Sequence, residues 1–449
     1  MTADTPAVSL PLEGRAALRA GVVGNWIDNI HVFLPVMALA PAMTVLAGPD
    51  AAALGAVVVI AMLLGRPLGG IIFGRISDTL GRTRTTRLAI AGTAACALGI
   101  AVMPTYLSLG AATLGLILIL RFLGGIFVAG EYSAAIPLAM EWSQPRRRGL
   151  MSGLILSMAP WAQATIAFAT AALLTVLGEQ SYATWGWRSL FVAGVLASLG
   201  MLIYYTRHVA DAPVFHRQHA QTSHERAGLP AIFTGRYAPM FWQVFTLMSG
   251  LWLLTDVTVL ILPGRLVADA GLSATQTPII MGIASVAQAI FMALAGHSSS
   301  ITGRRTLFIS WMLVAAVVSP FLWLGLMGSS SAVAVAGLAA LLQVVTVSAY
   351  GPVAAYLSER FPTQVRSAGY GLGYSLSLIL PALYPFYLPT LEDVFGRQAA
   401  PILMLVLGAT LVIVGALLGP RLSSAEFDAD IDDVANHRLE TMPAGRRTT

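Results

Sequence analysis

Long apolar runs dominate this sequence and constrain its fold more than any other feature. A helix needs roughly 20 apolar residues to cross the hydrocarbon core of a bilayer. Only 10% of the 449 residues are charged, against roughly 25% in soluble domains, which excludes an ordinary soluble multidomain protein. The chain is therefore predicted to be an all-α membrane protein with about twelve transmembrane helices. The runs lie near 20–46, 51–74, 88–106, 110–140, 150–177, 189–206, 240–262, 278–296, 307–327, 332–357, 368–388 and 400–420.

Positive charges are distributed unevenly between the two sides of these spans. All 26 basic residues are arginine, and 21 of them fall at the N-terminus, in alternate loops or in the tail. The opposite loops hold only Arg188, Arg265 and Arg397. Because an arginine excess marks the cytoplasmic side, both termini are predicted to be cytoplasmic, with the bacterial cytoplasmic membrane the expected location. The net charge of +5 thus indicates orientation and gives no support for nucleic-acid binding. Residues 1–14 are polar and acidic, so the first span is expected to be retained and not cleaved as a signal.

Two loop patterns occur twice, which predicts an internal repeat. The first pattern recurs 222 residues on, and a looser Glu-to-Arg pattern recurs after 218 residues. A repeat of this length predicts two pseudo-symmetric six-helix bundles, at 1–206 and 240–421, joined by a linker at 207–239 and followed by a tail at 422–449. In transporters that are built from internal repeats, the substrate binds between the halves near the bilayer midplane. The paired patterns are Gly74, Asp78, Gly81 and Arg82 with Gly296, Ser300, Gly303 and Arg304, and Glu141 and Arg148 with Glu359 and Arg366.

The loop between spans two and three resembles the signature loop of the major facilitator superfamily. Its residues are Gly74, Asp78, Gly81, Arg82 and Arg84. The Arg121-x-x-x-Gly125 stretch in span four is similar to the second motif of that superfamily. The resemblance implies a gating role for the loop, through charge contacts at helix ends and without contact to substrate.

Several further stretches resemble the metabolite:proton symporter family within that superfamily, which carries proline and betaine, dicarboxylates, citrate and shikimate. They are Arg66-Pro-Leu-Gly-Gly70, Gly130-Glu131-Tyr132, Trp185-Gly-Trp-Arg188, Asp211-Ala-Pro213-Val-Phe215 and Phe361-Pro362-Thr363-x-Val365-Arg366. The resemblance implies proton-coupled symport of a small organic anion or zwitterion by alternating access. The expected partners are that substrate, protons and the lipid bilayer, and a monomer is expected.

Span one departs from the pattern of that family. The family has Glu and Asp where this chain has Asp28 and His31. At 100° per residue, Asn25, Asp28, Asn29 and His31 fall within an arc of roughly 160°, and this face is predicted to line the central cavity. Asp28, tuned by His31, is a candidate proton or substrate site, and the alternative is a satisfied interhelical hydrogen-bond network.

Four other ionisable residues, Arg66, Arg121, Glu131 and Asp256, fall inside predicted spans, where a charge at the helix centre costs about 2.5–3.5 kcal/mol on insertion scales. Arg121 requires a counter-anion, which is either the substrate or a carboxylate such as Asp28 or Glu131. Glu131 is a candidate proton carrier or a structural anchor, and it lies about 15 Å along the helix from Arg121, too far for direct pairing. Asp256 is a candidate second protonation site in the second half.

Several uncharged polar or aromatic residues at mid-span depth are candidates for substrate contact, although anchoring or packing explains any one of them equally well. No cofactor, metal site or enzyme activity is expected, because the chain lacks a phosphate-binding Gly-rich loop and a His-Glu-x-x-His pair. The alternative function is export of a metabolite or drug by proton antiport. The candidates for substrate contact, with the span-one asparagines and Arg121 included, are Asn25, Asn29, Arg121, Trp161, Gln163, Gln288, Gln343, Tyr350 and Tyr374.

Overall fold

The computed structural model describes residues 10–48, 55–213, 229–273, 275–421 and 431. Most of the tail predicted at 422–449, and residues 214–228 of the predicted linker, lie outside these ranges. Within them the chain is helical and contains no strand. Helices are what a lipid-embedded chain requires, since every backbone N–H and C=O must find a partner within the protein.

The helices before the linker form a first group. They are α1 (Leu12–Phe33), α2 (Met43–Ala47), α3 (Gly55–Leu80), α4 (Arg82–Ala101), α5 (Tyr106–Leu109), α6 (Ala112–Trp142), α7 (Arg148–Ser181) and α8 (Trp187–His208).

The remaining helices form a second group. They are α9 (Leu229–Phe233), α10 (Ala238–Thr255), α11 (Leu262–Ala268), α12 (Gln276–Thr302), α13 (Arg304–Gly328), α14 (Ala332–Val347), α15 (Val353–Arg360), α16 (Arg366–Leu376), α17 (Ile379–Ala382), α18 (Tyr384–Phe395) and α19 (Ala399–Leu418).

Among the described residues, eight helical segments are long and apolar enough to cross a membrane, or ten if each of two bent pairs is one span. One of the eight, Pro145–His208, has 64 residues, which at 1.5 Å per residue is about three times the hydrocarbon thickness. Gly178, with a φ of 75°, interrupts this segment, and two crossings result. Helix α4 begins with three arginines and is not among the eight, although it packs against α6 and α8. With each bent pair counted as one span, the long segment as two and α4 included, the described helices give the expected twelve spans.

Two helix distortions lie at corresponding positions of the two groups. Helix α1 ends in a π-helical turn at Leu34–Ala38, and α10 ends in another at Asp256–Ile261. The two turns begin 222 residues apart, the same offset as the repeated loop pattern. Pro35 lies within the first turn and Pro263 just beyond the second, and proline, which lacks an N–H, interrupts the helical ladder. Broken helices at matching positions are typical of the substrate site in transporters with internal repeats.

Small residues allow the two groups to approach closely. Helix α7 packs along α12, and α3 packs along α16. A Cβ added at Gly153 would lie 3.0 Å from the Cα of Gly296, and one added at Gly70 would lie 3.0 Å from the carbonyl oxygen of Gly371. These contacts place α3, α7, α12 and α16 around the interface between the groups, as small residues do for packed membrane helices.

Candidate functional site

A central cavity lies between the two groups and has a volume of about 100 Å³. Both π-helical turns border it, through Val36 in the first group and through Asp256, Val259 and Leu260 in the second. Its wall is largely apolar, with a few polar groups, which is the usual composition of a small-molecule site. The polar and aromatic lining residues are Asn29, Phe33, Arg66, Tyr132, Gln163, Trp252, Thr255, Asp256, Gln288, Tyr350 and Tyr374.

The cavity contains one basic and one acidic side chain that are not paired with each other. Arg66 comes from α3 in the first group, and Asp256 comes from the π-helical turn of the second. They are 3% and 1% exposed, and neither makes an ion pair with any described residue. Arg66 Nε and Asp256 Oδ2 have no hydrogen-bond partner in the part of the chain that the structure describes. Because buried polar groups without partners are costly, these two residues are candidates for contact with a ligand.

Aromatic rings form the wall between these charges. Tyr132 of the first group stacks on Tyr374 of the second, with ring centroids 4.9 Å apart. Trp252 lies 5.1 Å from Tyr374 and 5.6 Å from Tyr350, and its Nε1 donates to the Tyr374 carbonyl at 2.9 Å. The Arg66 guanidinium lies 5.6 Å from the Tyr132 centroid and 5.9 Å from that of Trp252. We name Tyr132, Trp252, Tyr350 and Tyr374 the aromatic wall.

Two carboxyl groups adjoin each other inside the first group. Asp28 of α1 and Glu131 of α6 are within hydrogen-bonding reach, and Thr93 donates to Glu131 Oε1 at 3.3 Å. Both acids are almost fully buried. Two carboxylates in such contact cannot both remain ionised at low cost, so the pair is suited to hold one shared proton.

The prediction that one face of span one lines the central cavity is only partly correct. Asn29 lines the cavity and donates to the Tyr132 hydroxyl at 3.0 Å. Asn25 instead donates to the Ile155 carbonyl of α7 at 2.6 Å, Asp28 contacts Glu131, and His31 packs toward Ser198 of α8 at 2.7 Å. The 160° arc is wide enough that it meets α6, α7 and α8 in turn as well as the cavity.

The remaining sequence candidates divide into those at the cavity and those elsewhere. Gln163, Gln288, Tyr350 and Tyr374 line it, and Asp256 joins them as described above. Trp161 does not: it is 37% exposed, and it borders an outer groove with Val23 and Trp26 because it points away from the bundle. Gln343 is buried within the second group, away from the cavity wall. Arg121 lies in a different cavity, and it pairs with neither Asp28 nor Glu131.

Sequence reasoning missed Tyr132 and Trp252 and left Arg66 out of the substrate candidates. Tyr132 and Arg66 belong to stretches quoted above for family resemblance. Trp252 lies four residues before Asp256, so one helical turn places both on the same face of α10 and its continuation. That spacing was a usable signal for the tryptophan.

Asp78 connects the two groups at one end of the molecule. Its carboxylate accepts hydrogen bonds from the backbone N–H groups of Ser367, at 3.1 Å, and Ala368, at 2.9 Å. These are the first free donors of α16, so a negative charge there is favourable for the helix dipole. The hydroxyls of Ser77 and Ser367 also meet at 3.0 Å.

Glu141 makes a second connection at the same end. It pairs with Arg82 of its own group, with Arg82 Nη2 and Glu141 Oε1 2.8 Å apart. It also pairs with Arg366 of the second group at 2.7 Å. All three side chains are fully buried. Loss of any one of these three side chains would leave a buried charge uncompensated, which is strongly destabilising.

The second copy of the pattern makes the equivalent arrangement. Glu359 pairs with Arg304 of its own group at 3.0 Å and with Arg148 of the first group at 3.6 Å. Ser300 occupies the position of Asp78 and accepts from Arg304 at 3.2 Å. At this position the first copy of the pattern therefore has a carboxylate, Asp78, and the second copy has a hydroxyl, Ser300.

The signature segment is not the loop that the sequence predicts. Asp78 lies in the last turn of α3, and Arg82 and Arg84 lie in the first turn of α4. Only Gly81, with a φ of 100°, separates the helices, and at this φ a side chain would be strained. Arg84 is exposed. Gly74, Asp78 and Arg82 contact the second group. Gly81 forms the turn that positions Asp78 and Arg82.

Gly74 allows a direct test of the contact between α3 and α16 at this end of the molecule. A Cβ at Gly74 would lie 2.8 Å from the Cα of Ala368, so Gly74→Ala is expected to prevent full closure. In a Cys96→Ala background, a cysteine in place of the buried Ser77 should then react with a maleimide several-fold faster. Gly337→Ala is the matched control, since it also lies within a helix and its Cβ meets nothing within 4 Å. Equal labelling rates in the two variants would contradict the contact.

Comparisons with known proteins agree with this architecture. The chain matches the model of the Major Facilitator Superfamily over residues 23–385 and belongs to that superfamily. It is thus a multi-pass membrane transporter, and the relatives that it matches are transporters, not enzymes.

The curated relatives carry different kinds of solute. The chain is 26% identical to the glycine betaine/proline/ectoine/pipecolic acid transporter OusA of Dickeya dadantii, over 90% of this chain and 82% of that protein. It is 28% identical to the alpha-ketoglutarate permease of Escherichia coli, over 70% of this chain and 71% of the permease. A solved structure of the proton:xylose symporter XylE with 6-bromo-6-deoxy-D-glucose superimposes with a TM-score of 0.75 at 17% identity, covering 95% of this chain and 99% of that one. That structural likeness concerns the fold alone.

Proposed function

We propose that this transporter is a proton-coupled symporter that imports a small zwitterion by alternating access. The observation that carries the proposal is the pair of unpaired, buried charges, Arg66 and Asp256, in one cavity. The resemblance to a zwitterion transporter over most of both chains supports it.

The two charges select a substrate that bears both signs. Arg66 offers planar donors to a carboxylate, and Asp256 offers acceptors to an ammonium group. The aromatic wall adds ring faces, which attract alkylated ammonium groups through cation–π contacts. A dicarboxylate would bring its second negative charge against Asp256, so the site disfavours it.

The adjoining acids Asp28 and Glu131 are the proposed proton site. They are one residue away from Asn29 and Tyr132, which line the substrate cavity and hydrogen-bond to each other. Arg66 acts electrostatically on Asp28 as well as lining the cavity. One guanidinium therefore lies close to both the proton site and the substrate site.

This arrangement gives the coupling the sign of symport. When Asp28 and Glu131 hold their proton, Arg66 has less negative charge nearby and binds a substrate carboxylate more strongly. A bound carboxylate in turn neutralises Arg66 and favours retention of the proton. Linkage requires the two effects to be equal, so substrate and proton bind together and leave together.

The connections at Asp78, Glu141 and Glu359 are the proposed inner gate. The positive-inside distribution supports a cytoplasmic location for this end and for both termini. Rocking of the two bundles, 1–206 against 240–421, would break these connections and open the cavity inward. In the described chain, the ion pairs at the opposite end, among Arg265, Asp269, Glu392 and Arg397, lie within the second group.

Uptake by proteoliposomes under an imposed inward proton gradient tests the substrate class. We expect accumulation of N-methylated amino acids or cyclic imino acids, and little of dicarboxylates or aromatic acids. Everted vesicles give the direction of net flux under the same gradient. Accumulation of a dicarboxylate but of no zwitterion would contradict the proposed substrate, and proton-driven export would contradict symport.

A further inference from the structure

A second, smaller cavity lies inside the first group of helices. His31, Met62, Thr93, Cys96 and Arg121 contribute its polar and sulfur atoms. Asn29, which lines the central cavity, and His31 are two residues apart, about 200° around α1. The small cavity is thus on the other side of α1 from the proposed substrate site and shares no lining residue with it.

Arg121 enters this cavity without a carboxylate partner. Its Nη1 donates to the His31 carbonyl at 3.0 Å, and its Nη2 contacts Met62 Sδ at 2.6 Å. Thioether sulfur is only a weak acceptor. Nε has no partner among the described residues, and the side chain is 4% exposed.

His31 contributes a second unsatisfied donor or acceptor at the same place. Its Nε2 meets Ser198 Oγ at 2.7 Å, and its Nδ1 has no partner in the described part of the chain. If the Ser198 hydroxyl donates to Nε2, the neutral ring carries its hydrogen on Nδ1 and becomes a donor. Arg121 Nε and His31 Nδ1 then each carry an N–H without a partner among the described residues, on two residues that both line the cavity.

The buried charge of the first group also requires an anion. Arg66 and Arg121 are two buried cations, and the buried acids near them, Asp28 and Glu131, adjoin each other. With one proton shared by the acids, which rests on the proposed function, these four residues of the first group carry one net positive charge. Asp256 of the second group lines the central cavity with Arg66 and does not line the cavity of Arg121. A buried charge without a counter-ion is strongly destabilising.

We propose that this cavity binds a single small anion, a halide such as chloride, as the counter-ion of Arg121. Its volume of about 10 Å³ is at the lower limit for one water-sized guest. A carboxylate or phosphate group is too large for that space. The halide is a structural ligand of the first bundle and not the transported substrate.

Thermal unfolding of the purified full-length transporter tests the proposal. We expect sodium chloride to raise the unfolding midpoint by at least about 2 °C over sodium gluconate at equal concentration, and to do so saturably. Arg121→Gln removes the cation, and His31→Asp supplies a counter-charge from the protein. Both variants should lose the chloride effect. Arg188→Gln is the control, because Arg188 donates to backbone carbonyls and lies outside the cavity.

Each outcome either supports or contradicts halide binding in the small cavity. A saturable chloride effect that is lost in His31→Asp but kept in Arg188→Gln supports the site, even if Arg121→Gln fails to fold. Equal midpoints in chloride and gluconate would overturn the proposal. A chloride effect that persists in His31→Asp would assign it to another site.

Discussion

Replacement of Glu131 by Gln is expected to abolish proton-driven accumulation of substrate while leaving substrate exchange intact. The amide keeps the size of the side chain and can still interact with Thr93, but it cannot carry a proton. A gradient of two pH units can drive about 100-fold accumulation at one proton per substrate, since each tenfold step is about 1.4 kcal/mol. In the variant the internal and external substrate concentrations should become equal. Proteoliposome uptake and counterflow measure the two activities separately.

The control for this variant is Glu179→Gln. Glu179 is an exposed glutamate near the end of α7, so the same chemical change there should leave accumulation unchanged. Asp28→Asn should reproduce the Glu131 result, because either substitution removes the shared proton site. Gradient-driven accumulation at the parent level in both acid variants would contradict the proton role.

Replacement of Asp256 by Asn is expected to weaken binding of a zwitterion by about 10- to 100-fold. A hydrogen bond to a charged group contributes about 1.5–3 kcal/mol, which corresponds to that range. A monocarboxylate that lacks the ammonium group gains nothing from Asp256, so its binding should stay constant or improve. Competition against uptake of the labelled zwitterion gives both affinities, and the ratio between them is the informative quantity.

Asp393→Asn is the matched control, because Asp393 is an exposed acid near the end of α18 and does not line the cavity. It should change neither affinity. A parallel loss of affinity for the zwitterion and the monocarboxylate in Asp256→Asn would point to a structural role for Asp256 instead of an ammonium site.

Much of the architecture followed from local features of the sequence. Apolar run length and the repeated loop pattern predicted a helical membrane protein, and the family match agrees. The 222-residue offset also relates the two π-helical turns, but no pattern distinguished those turns from ordinary helix before the structure was available. Helix α1 begins at Leu12, ahead of the predicted 20, because a helix continues past the end of its apolar run.

The candidate site was harder to predict because it depends on which neighbour each helix face meets. Asp256, Gln163, Gln288, Tyr350 and Tyr374 were named and do line the cavity. Asn25 and His31 share a face with Asn29 by periodicity, yet they bond to α7 and α8. Trp161 has the depth of a binding residue but points outward. Depth and polarity can be read from one sequence, whereas helix neighbours cannot.

The proposed symport requires a zwitterion and a proton to move together in the same direction. Its most direct test is the internal pH of proteoliposomes that contain the transporter and a trapped pH-sensitive dye, with no gradient at the start. Addition of a betaine-type or imino-acid zwitterion outside is expected to acidify the interior, and Glu131→Gln should remove that change. Alkalinisation of the interior, or substrate entry with no change of pH, would contradict the proposed symport.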